Sequence, residues 1–422
     1  MTRVLLLSTT TGYQLRSFGE AASRLGIELL LATDRCHHLD DPWRDGAVPV
    51  RFYDDERSLR AIVDAARDRP VHGVLAVGDR PTVLAAKAAR ALGLRGNPVE
   101  AADATRSKKT MRRLFGASGM RVPWTFELQA GDDIPEAALR AAYPCVIKPL
   151  GLSGSRGVMR VDNPEEFLAA VERIRELLWR PTLRAQRTAL LDEILAEGYV
   201  DGREFAVEGV LTNGSLRVFT IFEKPDPLEG PFFEETIYLT PPRIPDTTAD
   251  AIETEVQRAC SALGLRHGPI HAECRVSPRG VVMLEVAARP IGGLCSRVLR
   301  FVEAGSDASL EEVLLRHAVG QGISSCTLHP SAAGVMMIPI PQRGIYRGVT
   351  GESAARDVRH IEHLEITAKK EQLLEPLPEG DSYLGFIFAR ASTEAAVEEA
   401  LREAHRQLRF EIDRELSVRA VV

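Results

Sequence analysis

The chain has no CxxC pair, no apolar run long enough to cross a membrane, no basic stripe interleaved with aromatics and no internal repeat. Each absence removes a class. The six cysteines, at 36, 145, 260, 274, 295 and 326, lie scattered without metal-ligand spacing. That argues against a zinc site or a disulfide framework and suits a reduced cytoplasm. A formal net charge of −6 argues against a nucleic-acid partner. The apolar run in MTRVLLLSTTTGYQ is too short for the core of a signal peptide. Two glycine signatures are also missing: no GxGxxG follows the first strand, and no GK[ST] ends the later glycine run.

What remains is an ordinary globular composition, 45% hydrophobic and 27% charged over 422 residues, enough for two or three domains. The apolar runs 4–8, 27–33 and 73–78 read as buried parallel strands, with helices after the first and third, the latter over 80–94. This is an open α/β layout. The polar STTTGYQ (8–14) reads as a turn or as one lip of a ligand crevice. Further helices are expected over 104–120, 163–196, 247–264 and 392–410, the last capped by Ser392 or Thr393. Strands are expected in 144–161 around a glycine- and serine-rich loop, in 197–211 around an Asp201-Gly202 turn, and in AAGVMMIPIP and SYLGFIFARA.

Residues 271–290, HAECRVSPRGVVMLEVAARP, read as a hairpin with a glutamate on each arm. A three-residue loop Pro278-Arg279-Gly280 uses proline's preset φ and glycine's tolerance of φ > 0. It pairs Ser277 with Val281 and puts Glu273 opposite Glu285. A loop one residue longer sends the two acids to opposite faces. The shorter loop places Ala272, Cys274, Val276, Val282, Leu284 and Val286 on one face, and His271, Glu273, Arg275, Glu285 and Arg289 on the other. Like charges directly opposite repel across about 4.5–5.5 Å between side-chain carbons. Either Arg275 and Arg289 neutralise them on a solvated face, or a divalent cation bridges them. Mg²⁺ takes one or two carboxylates with phosphate oxygens completing its shell.

Lys148 lies inside the apolar CVIKPL, where burial is costly unless the ammonium meets an anion. GLSGSRGV (151–158) follows at once, either a flexible turn or a loop able to close over phosphates with its N–H groups. EGYVDGREF (197–205) offers Glu197 to Val200 as a strand edge for a flat heterocycle and Glu204 for ribose hydroxyls; the plainer reading is an acidic hairpin.

In this order, SKKTMRR, VIKPLGLSGSRGV, EGYVDGREF and HAECRVSPRGVVMLEVAARP resemble the motifs of the ATP-grasp superfamily of carboxylate–amine/thiol ligases, a likeness running over about residues 1–420. The resemblance implies an N-terminal open parallel α/β domain (1–103), an ATP-grasp domain whose two subdomains clasp ATP (104–330, the small mobile one about 122–200), and a C-terminal lid-like α+β domain (331–422). It implies that Lys108 and Lys148 hold ATP phosphates and that Ser153, Gly154, Ser155 and Gly157 cover them. Glu197, Gly198 and Val200 resemble the adenine hinge, and Glu204 the ribose ligand. Glu273 and Glu285 resemble the Mg²⁺ ligands, and Arg289 the residue that steadies the acyl phosphate and tetrahedral intermediate. One position departs. Many members carry a metal-ligating asparagine where this chain has Ala287, so the resemblance leaves the second Mg²⁺ open. The register places His271 opposite Ala287, either to fill that corner or to pack as a neutral histidine beside the acids.

EVAARPIGG (285–293), the preceding HAE and EKPDPLEGPFFEETIYLTPPRIP (223–245) look most like the L-amino-acid ligase branch. The implied activity is ATP- and Mg²⁺-dependent, ADP-forming ligation of two amino acids through an acyl phosphate. Glu235 is then the anchor for the incoming ammonium, and Lys224 either a third phosphate lysine or an exposed loop charge. That branch tends to carry a histidine where this chain has Tyr238. The competing readings are a purine-pathway-like ligase using formate or bicarbonate, and a nucleotide-binding module without catalysis. The expected partners are small carboxylates and amines, in a cytoplasmic protein whose relatives are commonly homodimers.

Overall fold

The computed structural model describes residues 1–9, 14–34, 46–129, 131–303 and 305–414. Most of the STTTGYQ turn and Cys36 lie outside the described residues.

Apolar strands without alternation need cover on both faces. Arg3–Ser8 pairs in parallel with Glu28–Thr33 and with Gly73–Val77, and the short Val48–Pro49 extends the same sheet. Val4 and Leu6 pack on one side with Phe18 and Leu314, while Leu5 and Leu7 pack on the other with Ile62 and Leu84. Helices Leu15–Leu25 and Thr82–Ala91 follow the first and third long strands, where the periodicity puts them.

Residues 163–196 are not one helix. Asn163 caps Pro164–Leu178, the chain breaks before Pro181, and a short turn and a 3₁₀ segment lead into the strand Ile194–Gly198. That strand lies inside a four-stranded antiparallel sheet, between Thr125–Leu128 and Cys145–Pro149, with Met159–Val161 at the edge. Phe167, Val171, Ile174 and Leu177 give this sheet a core of its own.

The larger sheet has eight strands. From the hairpin it runs through Arg203–Thr212, Ser215–Glu223 and Ile237–Thr240 into Ala332–Ile338, Gly385–Ala391 and Ile361–Ile366. The C-terminal segment is thus joined to the centre of the molecule by ladder hydrogen bonds. Helix Glu394–Gln407 has Thr393 as its cap, the Oγ1 accepting the Ala396 N–H at 3.3 Å.

The hairpin reaches the expected pairing by an unexpected route. Ser277 pairs with Gly280, so the loop is Pro278-Arg279, two residues rather than three. Alone, that change would put Glu285 on the wrong face. A bulge restores it: Glu273 faces Glu285 but Cys274 faces Met283, leaving Leu284 as the extra residue. Arg112 Nη1 donates to the Leu284 carbonyl at 2.8 Å. Met283 packs in the core, and Leu284, expected on the apolar face, lines the cleft.

Candidate active site

The small sheet, the large sheet and the hairpin wall one cavity of about 280 Å³. Every candidate site residue given a role from the sequence lines it except Gly157 and Lys224.

Helix Lys108–Ala117, capped by the Ser107 hydroxyl, places Lys108 and Arg112 one turn apart on the same face. Lys108 Nζ lies 2.7 Å from Glu285. Arg112 grips Glu197 with Nε at 2.9 Å and Nη2 at 3.3 Å, and Lys148 bonds to the same carboxylate. Burial lowers Lys148 to about 8 despite Glu197, whereas Arg112 and Lys148 overcome burial and hold Glu197 at about 2. The shifts differ in what wins, yet both leave the pair charged at neutral pH. Glu197 is therefore not on a strand edge: it sits mid-sheet, opposite Thr125 and Val146, and its side chain fixes Lys148. Beyond it, the Val200 carbonyl is already taken by Arg275 Nη1 at 2.7 Å. Tyr199 and Phe233 stack 6.4 Å apart at this end of the cleft.

Lys224 is neither an exposed loop charge nor free for phosphate. It is buried, and its ammonium donates to Glu204 at 2.7 Å, Glu235 at 2.5 Å and Glu273 at 3.0 Å. An ammonium has three donors, and all are used. The three carboxylates converge closely enough to hold a metal ion, and the lysine occupies that role. Glu204 also accepts Arg275 Nε at 2.9 Å, so a ribose would have to share its oxygens. Tyr238 donates its hydroxyl to Glu235 at 2.7 Å.

His271 does face Ala287, and its ring nitrogens are turned toward two carboxylates. Its Nδ1 lies 3.1 Å from Glu208 and its Nε2 3.7 Å from Glu273. Burial opposes the charge, yet bonds to Glu208 and Glu273 outweigh it and raise the imidazole to about 9.

Sequence reasoning passed over Asp79. It follows the strand Gly73–Val77 and takes Arg289 Nε at 2.8 Å and Nη2 at 3.3 Å. Its position at the carboxyl end of a parallel strand was the available signal. Asp381, Tyr383 and Phe386 bring the C-terminal segment into the cleft wall. From that segment the Pro378 carbonyl accepts the Gly157 N–H at 2.8 Å, so Gly157 faces the C-terminal loop rather than the cleft. Arg156 binds Asp381 and the Glu379 carbonyl, both at 2.8 Å.

Two sheets close over lysines and carboxylates, and known proteins share these domains. An ATP-grasp domain model matches residues 141–298, an ATP-grasp N-terminal domain residues 19–96, and L-amino acid ligase C-terminal domain 2 residues 336–413. The chain thus combines ATP-grasp domains with a C-terminal domain of the L-amino acid ligase type. Alanine–anticapsin ligase of Bacillus subtilis is 28% identical over 219 residues, 49% of this chain and 46% of that protein. Dapdiamide A synthase of Enterobacter agglomerans is 24% identical over 56% of this chain and 51% of its own. The matches thus span about half the length of these curated relatives. The L-amino acid ligase structure from Bacillus licheniformis shares the fold, with TM-score 0.79 over 98% of this chain and 99% of that one, at 24% identity. N5-carboxyaminoimidazole ribonucleotide synthetase from Thermotoga maritima also superposes, at TM-score 0.70 and 15% identity over 98% of this chain and 100% of that one. Fold alone does not separate the branches.

Proposed function

We propose that this chain is an ATP- and Mg²⁺-dependent, ADP-forming ligase that joins two amino acids through an acyl phosphate. The observation carrying this reading is the convergence of Lys108, Lys148, Glu273, Glu285 and Arg289 on one cavity. Lys108, Lys148 and the Ser153–Ser155 backbone take the phosphates, while Gly198, the Val200 N–H and the Tyr199–Phe233 pair take the adenine. Glu273 and Glu285 fit Mg²⁺, being hard oxygen donors. Although burial opposes it, Lys224 and His271 hold the Glu273 carboxyl well below the usual range, so it stays anionic. The metal would supply neutralisation of charge on the phosphoryl oxygens.

Arg289 is placed for the oxyanion that develops as the amine adds. Glu235 suits the amine itself. Burial, against Lys224 but with Glu273 and Glu204, lifts its carboxyl to about 7. Such a group anchors an ammonium when ionised and accepts its proton as the nitrogen attacks. The L-amino acid ligase C-terminal domain favours an amino acid over formate or bicarbonate. The complete set of lysines and acids favours catalysis over a binding module. The same reading takes the protein as cytoplasmic and homodimeric; among the described residues no helix is long and apolar enough to cross a membrane. Phosphate release from Mg-ATP, assayed with pairs of free amino acids, tests it. Release should require both a carboxylate and an amine; binding of ATP with no stimulation by any pair would defeat the proposal.

A further inference from the structure

A second cavity of about 190 Å³ adjoins the main cleft and shares Lys108, Ser153, Glu285 and Asp381 with it. Its charges do not balance. The acids on its wall are taken: Asp79 by Arg289 and Asp381 by Arg156, each at 2.8 Å, and Glu285 by Lys108 at 2.7 Å. One guanidinium, Arg106, is left over, and a second, Arg80, is only loosely paired. Arg80 approaches Asp34 only to 3.7 Å. Among the described residues, nothing hydrogen-bonds or ion-pairs with the Arg106 side chain. Burial depresses the Arg80 pKa, Asp34 opposes this, and the nearby charge of Arg106 adds to the depression. An unpaired guanidinium beside a loosely paired one in the wall of a cavity calls for an anion, and a guanidinium fork suits an oxyanion with two oxygens. Leu150, Leu183 and Leu190 on the same wall suit methylenes.

We propose that this annex seats a second anionic group of one substrate, the carboxylate of an acidic amino acid or of a dicarboxylic acid, held by Arg106 with Arg80. The inference rests on the ligase reading for its substrate class and gives that substrate a charge. A phosphate on a short spacer shares the chemistry, so the test separates the two.

The test is calorimetric titration of the whole protein, loaded with Mg²⁺ and a non-hydrolysable ATP analogue, using glutamate, aspartate, their amides and phosphoserine. One acidic amino acid should bind at least about tenfold tighter than its amide. Arg106→Ala should erase that preference while leaving affinity for the ATP analogue unchanged. Phosphoserine binding tighter than either acid would keep the anion site and assign it to phosphate. Equal binding of acids and amides, with phosphoserine no better, would overturn the annex. So would an Arg106→Ala protein that loses nucleotide affinity instead, because the cavity would then belong to the triphosphate. The two readings fail separately. Neutral amino acids driving ADP release while no acid binds would sink the annex alone. Tight glutamate binding without ADP release alongside any amine would sink the ligase alone.

Discussion

Glu273 and Glu285 face each other across the hairpin, yet each is bonded to a different lysine: Glu285 to Lys108 at 2.7 Å and Glu273 to Lys224 at 3.0 Å. The protein's own cations offset the repulsion between the acids, so Mg²⁺ has to compete for them. Glu285→Gln should fold normally, because the Lys108–Glu285 pair is partly exposed and such pairs contribute about 1 kcal/mol or less. Turnover should fall by about 10²-fold or more and demand higher free Mg²⁺. A Mg²⁺ titration of rate, beside circular dichroism, checks this.

Lys224 is the one cation shared by Glu204, Glu235 and Glu273. Lys224→Met leaves one buried and two half-buried carboxylates facing one another and should cost about 3–5 kcal/mol in chemical denaturation. Mg²⁺ should then raise the melting temperature of the variant more than that of the parent, since the acids would converge on an open centre. A variant as stable as the parent and indifferent to Mg²⁺ would show that Lys224 does not neutralise the cluster.

Arg289 is held by Asp79, just past the end of a strand of the N-terminal sheet. Arg289→Ala should lower kcat by about 10²–10³. Asp79→Asn keeps the shape but weakens the grip, so kcat should fall by roughly tenfold with the KM for ATP unchanged. The double variant should be no slower than Arg289→Ala, because the two residues act as one unit. Additive losses would mean that Asp79 acts on something else.

Far from the cleft, the His267 and His317 rings stack with centroids 4.3 Å apart, both buried. Burial, aided by His267 and Arg95, lowers His317 to about 4, and burial lowers His267 as well. Unfolded histidine titrates near about 6.5. Between those values the unfolded chain binds more protons, so stability falls as pH falls, by up to about 3 kcal/mol for His317. Urea midpoints from pH 7 to 4 should show this slope, and His317→Gln, which keeps a partner for Thr212, should flatten it.

The parallel strands, the buried Lys148 and the opposed acids were legible because each is written in local pattern: an apolar run, a lysine in such a run, a turn with glutamates equally spaced from it. The hairpin shows how far that reaches. A shorter turn and a bulge at Leu284 cancel in register, and only the Arg112 bond to the bulge carbonyl marks where the extra residue sits. Asp79, the acids around Lys224 and the hold of Pro378 on Gly157 join segments far apart in the chain. No local pattern contains them. His271 shows the same limit: its strand partner is Ala287, as the register puts it, but its charge is set by Glu208 on the neighbouring strand and by Glu273.

The most direct test follows oxygen. Amino acids labelled with ¹⁸O in the carboxylate, incubated with enzyme, Mg-ATP and an amine donor, should yield a dipeptide, ADP and inorganic phosphate carrying one ¹⁸O from the activated acid. Unlabelled phosphate, or label appearing in AMP, would contradict activation of a carboxylate by the terminal phosphoryl group in this cleft.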